Sequence, residues 1–132
     1  MERYIGTKLI QAEPQMKDGR EGYKVVYPDN YVSWSPKQVF EEAYRRCDSM
    51  NFGLALEAIK LGFKATRKGW NGRGQYIVLA TNISYKNADG EIVNAHHEDI
   101  TSKAIAFVGT RGIQLGWLAS QSDMLADDWM LI

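Results

Sequence analysis

The sequence predicts an α+β fold, built mostly from antiparallel strands, with two helices of which one follows an N-terminal hairpin. Three observations lead to this prediction. Apolar and polar residues alternate over much of the chain, which is the period of a strand with one buried face. Turn sequences at residues 28–30 and 87–90 separate such segments at hairpin spacing. The pattern changes to a helical period after Trp34 and again after Asn51.

The first 49 residues predict a strand, a hairpin and a helix. The strand is expected near Tyr4–Ile10, and the hairpin spans Tyr23–Trp34. Ser35 is expected to be the helix N-cap, with Pro36 at the first helical position and Gln38 completing a capping box. The helix should end near Arg46 or Cys47, and the residues expected on its buried face are Val39, Phe40, Ala43 and Tyr44.

Residues 50–132 predict a second module, which follows a joint near Cys47–Met50. Its helix is expected over Phe52–Leu61, with Asn51 as the N-cap and Gly62 as the stop. The chain therefore divides into a hairpin–helix module, 1–49, and a larger domain, 50–132. Strands of that domain are expected at 64–67, 75–80, 83–86, 91–94, 105–108, 112–118 and 128–132, with one capped helical turn at 120–125.

The composition restricts the class of partner. The 132 residues carry 16 basic and 16 acidic side chains, whereas a protein that coats DNA or RNA needs a basic surplus. A small ligand or a protein partner is therefore favoured over a nucleic-acid polymer. The single cysteine, Cys47, excludes an intramolecular disulfide and is expected to be a buried thiol. The sequence has no signal core and no apolar segment of bilayer length, so we expect a cytosolic protein that makes no membrane contact.

The glycine-rich segment 67–74 is the first candidate for a binding site. Glycines expose backbone N–H groups that suit phosphate oxygens, and Trp70 offers a face on which a purine could stack. Arg67 or Arg73 could neutralise a pyrophosphate. The alternative is a glycine-rich β-turn with Trp70 as a core residue, and spacing alone favours that alternative. The segment has neither the Walker nor the Rossmann glycine spacing.

The segment Trp117–Trp129 is the second candidate. Its short polar side chains, a carboxylate and two tryptophans could bind a nucleoside by stacking and hydrogen bonding. Equally, Ser120 and Asp123 could cap a helical turn while the tryptophans fill the core. The spacing leaves both interpretations open.

Other polar clusters are weaker candidates. Adjacent strand residues point to opposite faces, so His96 and His97 cannot easily share a metal ion, and a solvated loop is the favoured interpretation. No Ser/His/Asp or Cys/His set is recognisable, so the sequence offers no case for catalysis, a metal or a cofactor. The segment 109–112 could hold a phosphate through its backbone and Arg111, although a plain hairpin tip is more economical. The acid pairs Glu41-Glu42 and Asp127-Asp128 are interpreted as solvated or capping residues.

Three blocks taken together resemble a known family. Residues 50–58, Arg67-x-Gly69-Trp70-Asn71-Gly72 and the block 117–129 look like the second family of phage anti-Thoeris proteins. The resemblance covers roughly residues 50–132. The N-terminal module, with 22–29 and 33–36, looks like a phage segment that is fused to such domains and that shorter members lack.

The resemblance implies a non-enzymatic sponge that acts in the cytoplasm of the infected bacterial host. Family members are homotetramers that bind glycocyclic ADP-ribose between protomers without degrading it, and some hold cyclic dinucleotides such as cyclic GMP-AMP at separate sites. Carried over by motif, the ligand-binding candidates are Arg67, Trp70, Asn71, Trp117, Ser120, Gln121, Asp123 and Met124. A second pocket at Gly109, Thr110 and Arg111 is a weaker inference from the same source.

Two alternatives remain at this point. One is an enzyme that cleaves a cyclic nucleotide, with His96, His97 and Glu98 around a metal. The other is an accessory module that binds a protein or single-stranded nucleic acid through its aromatic N-terminal hairpin.

Overall fold

The computed structural model describes residues 1–70 and 74–132. Contacts within the chain divide it into two compact units, Met1–Arg46 and Cys47–Ile132. The first unit is a three-stranded antiparallel sheet with one helix. Its elements are β1 (Gln11–Pro14), β2 (Gly22–Val26), β3 (Val32–Pro36) and α1 (Lys37–Ala43), with the strands in the order β1-β2-β3.

Aromatic stacking holds α1 against the sheet. The ring of Tyr23 on β2 stacks on Phe40 at 4.2 Å between centroids, and Phe40 stacks on Tyr44 at 5.0 Å. Val25, two residues along the same strand face, is fully buried. The predicted hairpin is confirmed, because β2 and β3 pair across the turn at residues 27–31.

The prediction of a strand at Tyr4–Ile10 is wrong. The first strand begins at Gln11, and the side chain of Ile5 is completely exposed. Gln11–Pro14 pairs with β2 because a tight turn at Asp18 and Gly19, both with positive φ, returns the chain onto its own sheet. β-propensity upstream of Gln11 does not make a strand, because a strand also needs a paired neighbour.

The predicted start and end of α1 are also wrong. Ser35 and Pro36 are the last residues of β3, and the Ser35 hydroxyl donates to the Pro36 carbonyl instead of capping a helix. The helix begins at Lys37 without a side-chain cap and stops at Ala43. Sheet pairing thus takes precedence over the capping signal. No residue of α1 is fully buried, and Cys47, expected in the helix as a buried thiol, lies exposed in a turn.

The second unit is a five-stranded antiparallel sheet with one helix packed on it and a small separate hairpin. The helix is α2 (Phe52–Lys60), and Asn51 caps it by accepting from the Leu54 N–H, as predicted. The strands of the sheet are β4 (Ala65–Arg67), β5 (Tyr76–Thr81), β8 (Lys103–Gly109), β9 (Gly112–Leu115) and β10 (Trp129–Leu131), in the order β10-β4-β5-β8-β9. The separate hairpin is formed by β6 (Tyr85–Lys86) and β7 (Ile92–Val93), and a short helix, α3 (Gln121–Met124), precedes β10.

The core of this unit lies between α2 and one face of the sheet. Ala55 and Ile59 of α2 are fully buried against Ala65, Ile77 and Trp129. The predicted α+β class and the mostly antiparallel sheet are confirmed. The third helix, α3, corresponds to the predicted capped turn. Among the described residues, no helix is long and apolar enough to cross a membrane.

Gly22 provides a test of the first unit. A Cβ at this position would collide with the indole of Trp34 and the Ser35 carbonyl. We therefore expect Gly22→Ala to lower the free energy of unfolding by about 1–3 kcal/mol, the usual cost of overpacking. Urea unfolding followed by circular dichroism measures it. Gly6→Ala is the control because nothing lies within 4 Å of its Cβ, and equal midpoints for the two variants would refute this packing.

Candidate functional site

The carboxylate of Asp123, on α3, is the centre of a hydrogen-bond network in the second unit. Its Oδ1 accepts from Arg67 Nη1 at 2.7 Å and from Trp70 Nε1 at 3.0 Å. Its Oδ2 accepts from the Ser120 hydroxyl at 2.9 Å and from the Ser120 N–H at 3.3 Å. Ser120 in turn accepts from the Asp123 N–H at 3.1 Å, which completes a capping box on α3. Asp123 therefore joins the two sequence segments singled out above.

Asp128 is the second carboxylate of this network. Its Oδ1 accepts from Arg67 Nε at 2.8 Å, and its Oδ2 accepts from the Gly69 N–H at 2.9 Å. Arg67 lies on β4 directly opposite Trp129 on β10, so strand pairing brings the guanidinium beside Asp128. The guanidinium is thus held between two carboxylates, and its side chain is only 17% exposed.

An aromatic cluster lies next to the carboxylates. The Trp70 ring meets Phe107, Trp117 and Trp129 edge-on, with centroid distances of 5.3, 6.0 and 5.2 Å. Trp117 stacks on Phe107 at 5.9 Å. Trp129 is fully buried, and its Nε1 donates to the Asp123 carbonyl at 2.9 Å. Edge-to-face packing of this kind fixes ring orientations more tightly than apolar contact alone.

The network shifts the pKa values of its members apart. Burial pushes the pKa of Asp123 upward, but the hydrogen bonds from Trp70, Arg67 and Ser120 outweigh it and leave the pKa below its usual value. The hydrogen bond from Arg67 lowers the pKa of Asp128 against the effect of burial, with a further contribution from the Gly69 N–H. Hydrogen bonds to Asp128 and Asp123 raise the pKa of Arg67. All three groups are therefore charged near neutral pH.

The structure separates the predicted ligand-binding residues into two groups. Arg67, Trp70 and Asp123 bind one another, and Trp117 lies half-buried in the aromatic cluster. The exposed members are Ser120, Gln121 and Met124. Asn71 and Arg73 lie outside the described residues. The capping and core-filling interpretations of both segments are thus present in the structure, and direct contact of these residues with a ligand stays a prediction.

The remaining candidates lie elsewhere in the second unit. Gly109 ends β8, and Thr110 and Arg111 form the exposed tip of the β8–β9 hairpin. His97 has a positive φ, and its Nδ1 lies 2.7 Å from the Asn82 carbonyl, so it takes part in loop structure. Within residues 1–70 and 74–132, no group of three or more His, Cys, Asp and Glu side chains could hold a metal ion.

Sequence reasoning missed the role of Asp128, which it interpreted as a solvated or capping residue. The carboxylate is bound to Arg67 and Gly69, 61 and 59 residues away in the chain. One signal could have found it. Asp128 immediately precedes a strand that pairs with β4, and pairing places residues flanking neighbouring strand ends close together.

The comparisons with known proteins identify the second unit. Residues 50–132 match the family model of the Thoeris anti-defense 2-like domain. The chain belongs to this family. It is also 31% identical over 84 residues to Thoeris anti-defense 2 of Bacillus phage SP01, a match that covers 63% of this chain and 94% of that protein. Membership in the Thoeris anti-defense 2-like family supports an anti-defence role, and the whole Asp123 network lies within the matched residues.

Asp128→Asn tests the electrostatics of this Thoeris anti-defense 2-like domain. At neutral pH we expect the variant to lose about 1–3 kcal/mol of unfolding free energy, since a hydrogen-bonded ion pair is broken. Because the folded-state pKa of Asp128 is lowered, its contribution is complete above the unfolded value of about 3.9 and is lost as the pH falls through the folded value. Urea unfolding between pH 7 and pH 3 measures both effects.

The gap between wild type and Asp128→Asn should therefore narrow below about pH 4. Asp127→Asn is the matched control, because Asp127 is the exposed neighbour of the same residue type. We expect it to change stability by less than about 0.5 kcal/mol. A gap that stays constant down to pH 3 would contradict the ion pair.

Proposed function

We propose that this protein binds glycocyclic ADP-ribose, an immune signal of the infected host, and withholds it without cleaving it. One observation carries the proposal. The segments 67–70 and 117–129 carry motifs that resemble those of anti-Thoeris proteins. In the structure these two segments meet in one hydrogen-bonded and aromatic network. Such a network can hold side chains in fixed positions for a ligand. The site of action would be the cytoplasm of the host.

The electrostatics favour binding over acid–base catalysis at this site. A general base works best when its pKa lies near the operating pH. The pKa values of Asp123 and Asp128 are lowered, and their oxygens already accept hydrogen bonds from Arg67, Trp70, Ser120 and Gly69. These carboxylates therefore suit a role in holding the site together, and no proton transfer is assigned to them.

The open face of the five-stranded sheet supports a pocket shared between copies of the chain. Ile77 packs against α2, so the next residue along β5, Val78, points to the opposite face. Ile113, on the edge strand β9, belongs to this second face and is 73% exposed. Two rows of side chains cross the face, Val78–Ala106–Leu115 and Tyr76–Val108–Ile113. Ala106 is buried in this face, whereas Ile113 and Leu115 at its edge are exposed, and adjoining exposed apolar side chains are typical of an interface.

A charged ring must be enclosed before it is held tightly. Two open depressions on the described residues lie within residues 1–46, outside the family match. Ligand sites normally bury most of the ligand surface. We therefore propose a homotetramer in which neighbouring protomers close the pocket.

Within this pocket the residues divide into two roles. The exposed Ser120, Gln121 and Met124 contact the signal, together with Trp117 and, from outside the described residues, Asn71. Arg67, Trp70 and Asp123 hold those groups in place through the bonds described above. The exposed Arg111 makes no ion pair with the described residues, which suits a separate phosphate site with Gly109 and Thr110 for cyclic dinucleotides such as cyclic GMP-AMP.

Isothermal titration of the purified protein with glycocyclic ADP-ribose tests the assignment. Gln121→Ala removes an exposed polar group from the proposed pocket, and we expect the dissociation constant to rise about tenfold, the effect of losing one hydrogen bond to a charged ligand. Gln11→Ala, an exposed glutamine of β1, is the matched control and should bind as wild type does. Equal affinity of the two variants would remove Gln121 from the site, and no binding by wild type would refute the proposed function.

Ile113→Lys tests the shared pocket. A charge on the open sheet face should dissociate the assembly and weaken signal capture at the same time, because desolvating a lysine costs more than the lost apolar contact. Light scattering coupled to gel filtration, with calorimetry on the same sample, measures both. Leu61→Lys, at the exposed end of α2, is the control and should change neither. A monomeric Ile113→Lys that captures the signal normally would contradict a pocket built by neighbours.

A further inference from the structure

The N-terminal unit lies outside the family match and has a sheet face that its helix leaves uncovered. Tyr23 and Val25 of β2 point toward α1. The alternate positions, Gly22 and Lys24, point the other way, and register places Trp34 of β3 directly opposite Lys24. We refer to this surface, formed by Gly22, Lys24, Val32 and Trp34 and bordered by the turn at residues 15–20, as the Trp34 face.

The indole of Trp34 is held in a fixed orientation on this face. Its ring lies over Gly22, where even a Cβ would collide with it. Its Nε1 donates to the Gln15 carbonyl at 2.9 Å, which fixes the in-plane direction of the ring. Because β2 has a glycine at this position, one face of the indole lies against the sheet. The other face can stack on another flat ring.

Two cations converge on this ring. Lys17 Nζ and the Arg20 guanidinium carbon each lie 5.7 Å from the ring centroid of Trp34. The ion pairs of the described residues use neither of them. Like charges held over one ring repel each other, and an anion placed between them would relieve that repulsion. An aromatic ring with an anion attached fits this arrangement.

The shape of the face favours an extended ligand. An open depression runs beside the indole, with Gln15, Met16 and Lys17 on one side and Tyr31–Trp34 on the other. An open groove with cations and aromatic rings is typical of sites that bind nucleic-acid single strands. A protein partner would be expected to bury a more apolar surface than one that carries Lys17 and Arg20.

We propose that the Trp34 face binds a short stretch of single-stranded nucleic acid, in which one base displaces the Lys17 and Arg20 side chains from the Trp34 ring and stacks there, while the two cations hold the adjoining phosphates. The chain carries no net charge, so the binding is local and weak and does not coat a polymer. This activity is separate from signal capture, because it uses residues outside the matched 50–132.

Fluorescence anisotropy of a labelled oligothymidylate, titrated with the full-length protein over a range of salt concentrations, tests the proposal. The double variant Lys17→Gln/Arg20→Gln leaves Trp34 in place. We expect it to weaken binding about tenfold or more at low salt, and to flatten the slope of log affinity against log salt by about 1.4, since each single-strand phosphate contact contributes about 0.7. The matched control is Lys37→Gln/Lys60→Gln, which removes the same charge at two exposed lysines that do not belong to the Trp34 face.

Three results would overturn the proposal. The first is no binding by wild type at low salt, which would leave the face to a protein partner. The second is equal weakening by the control double variant, which would indicate non-specific attraction. The third is equal affinity for duplex DNA of the same sequence, in which no base is free to stack. Calorimetry with glycocyclic ADP-ribose should be unchanged in both double variants, so the two proposals can fail independently.

Discussion

One interaction sets the geometry of the candidate site in the second unit: the largely buried Arg67 guanidinium is held between Asp123 and Asp128. This arrangement links β4 to the ends of α3 and β10, and through Gly69 and Trp70 it also fixes the segment that follows β4. A partly buried ion pair contributes little net stability by itself, but losing one partner leaves a charge without compensation. We infer that the network specifies one arrangement of the aromatic cluster rather than adding net stability.

Local signals predicted the elements whose determinants lie close together in sequence. Asn51 and Gly62 define α2, and the Ser120–Asp123 capping box defines α3. The failures come from the N-terminal unit. Ser35 has the sequence signal of a helix N-cap but lies in β3, where it pairs with β2. Tyr4–Ile10 has strand propensity but forms no strand, because it pairs with no neighbouring strand. In both places pairing between strands decides the outcome, and a local pattern cannot report it.

The candidate site shows the same division. Sequence identified Trp70, Ser120 and Asp123 but left open whether they cap and fill the core or bind a ligand. The structure shows that Asp123 caps α3 and binds Trp70 with the same carboxylate, so a structural role does not exclude a role in positioning a ligand-binding group. The role of Asp128 was missed because its partner on β4 is distant in sequence, and only the pairing of β4 with β10 brings the two together.

We propose that fixed side chains from adjoining copies of the chain enclose a signal and leave it chemically unchanged. To test this, the protein is incubated with glycocyclic ADP-ribose and denatured with heat, and the released nucleotide is analysed by mass spectrometry. We expect the intact signal to be recovered in the amount that had been bound. Recovery of a cleaved product, in an amount that exceeds the number of protein chains and grows with incubation time, would contradict it.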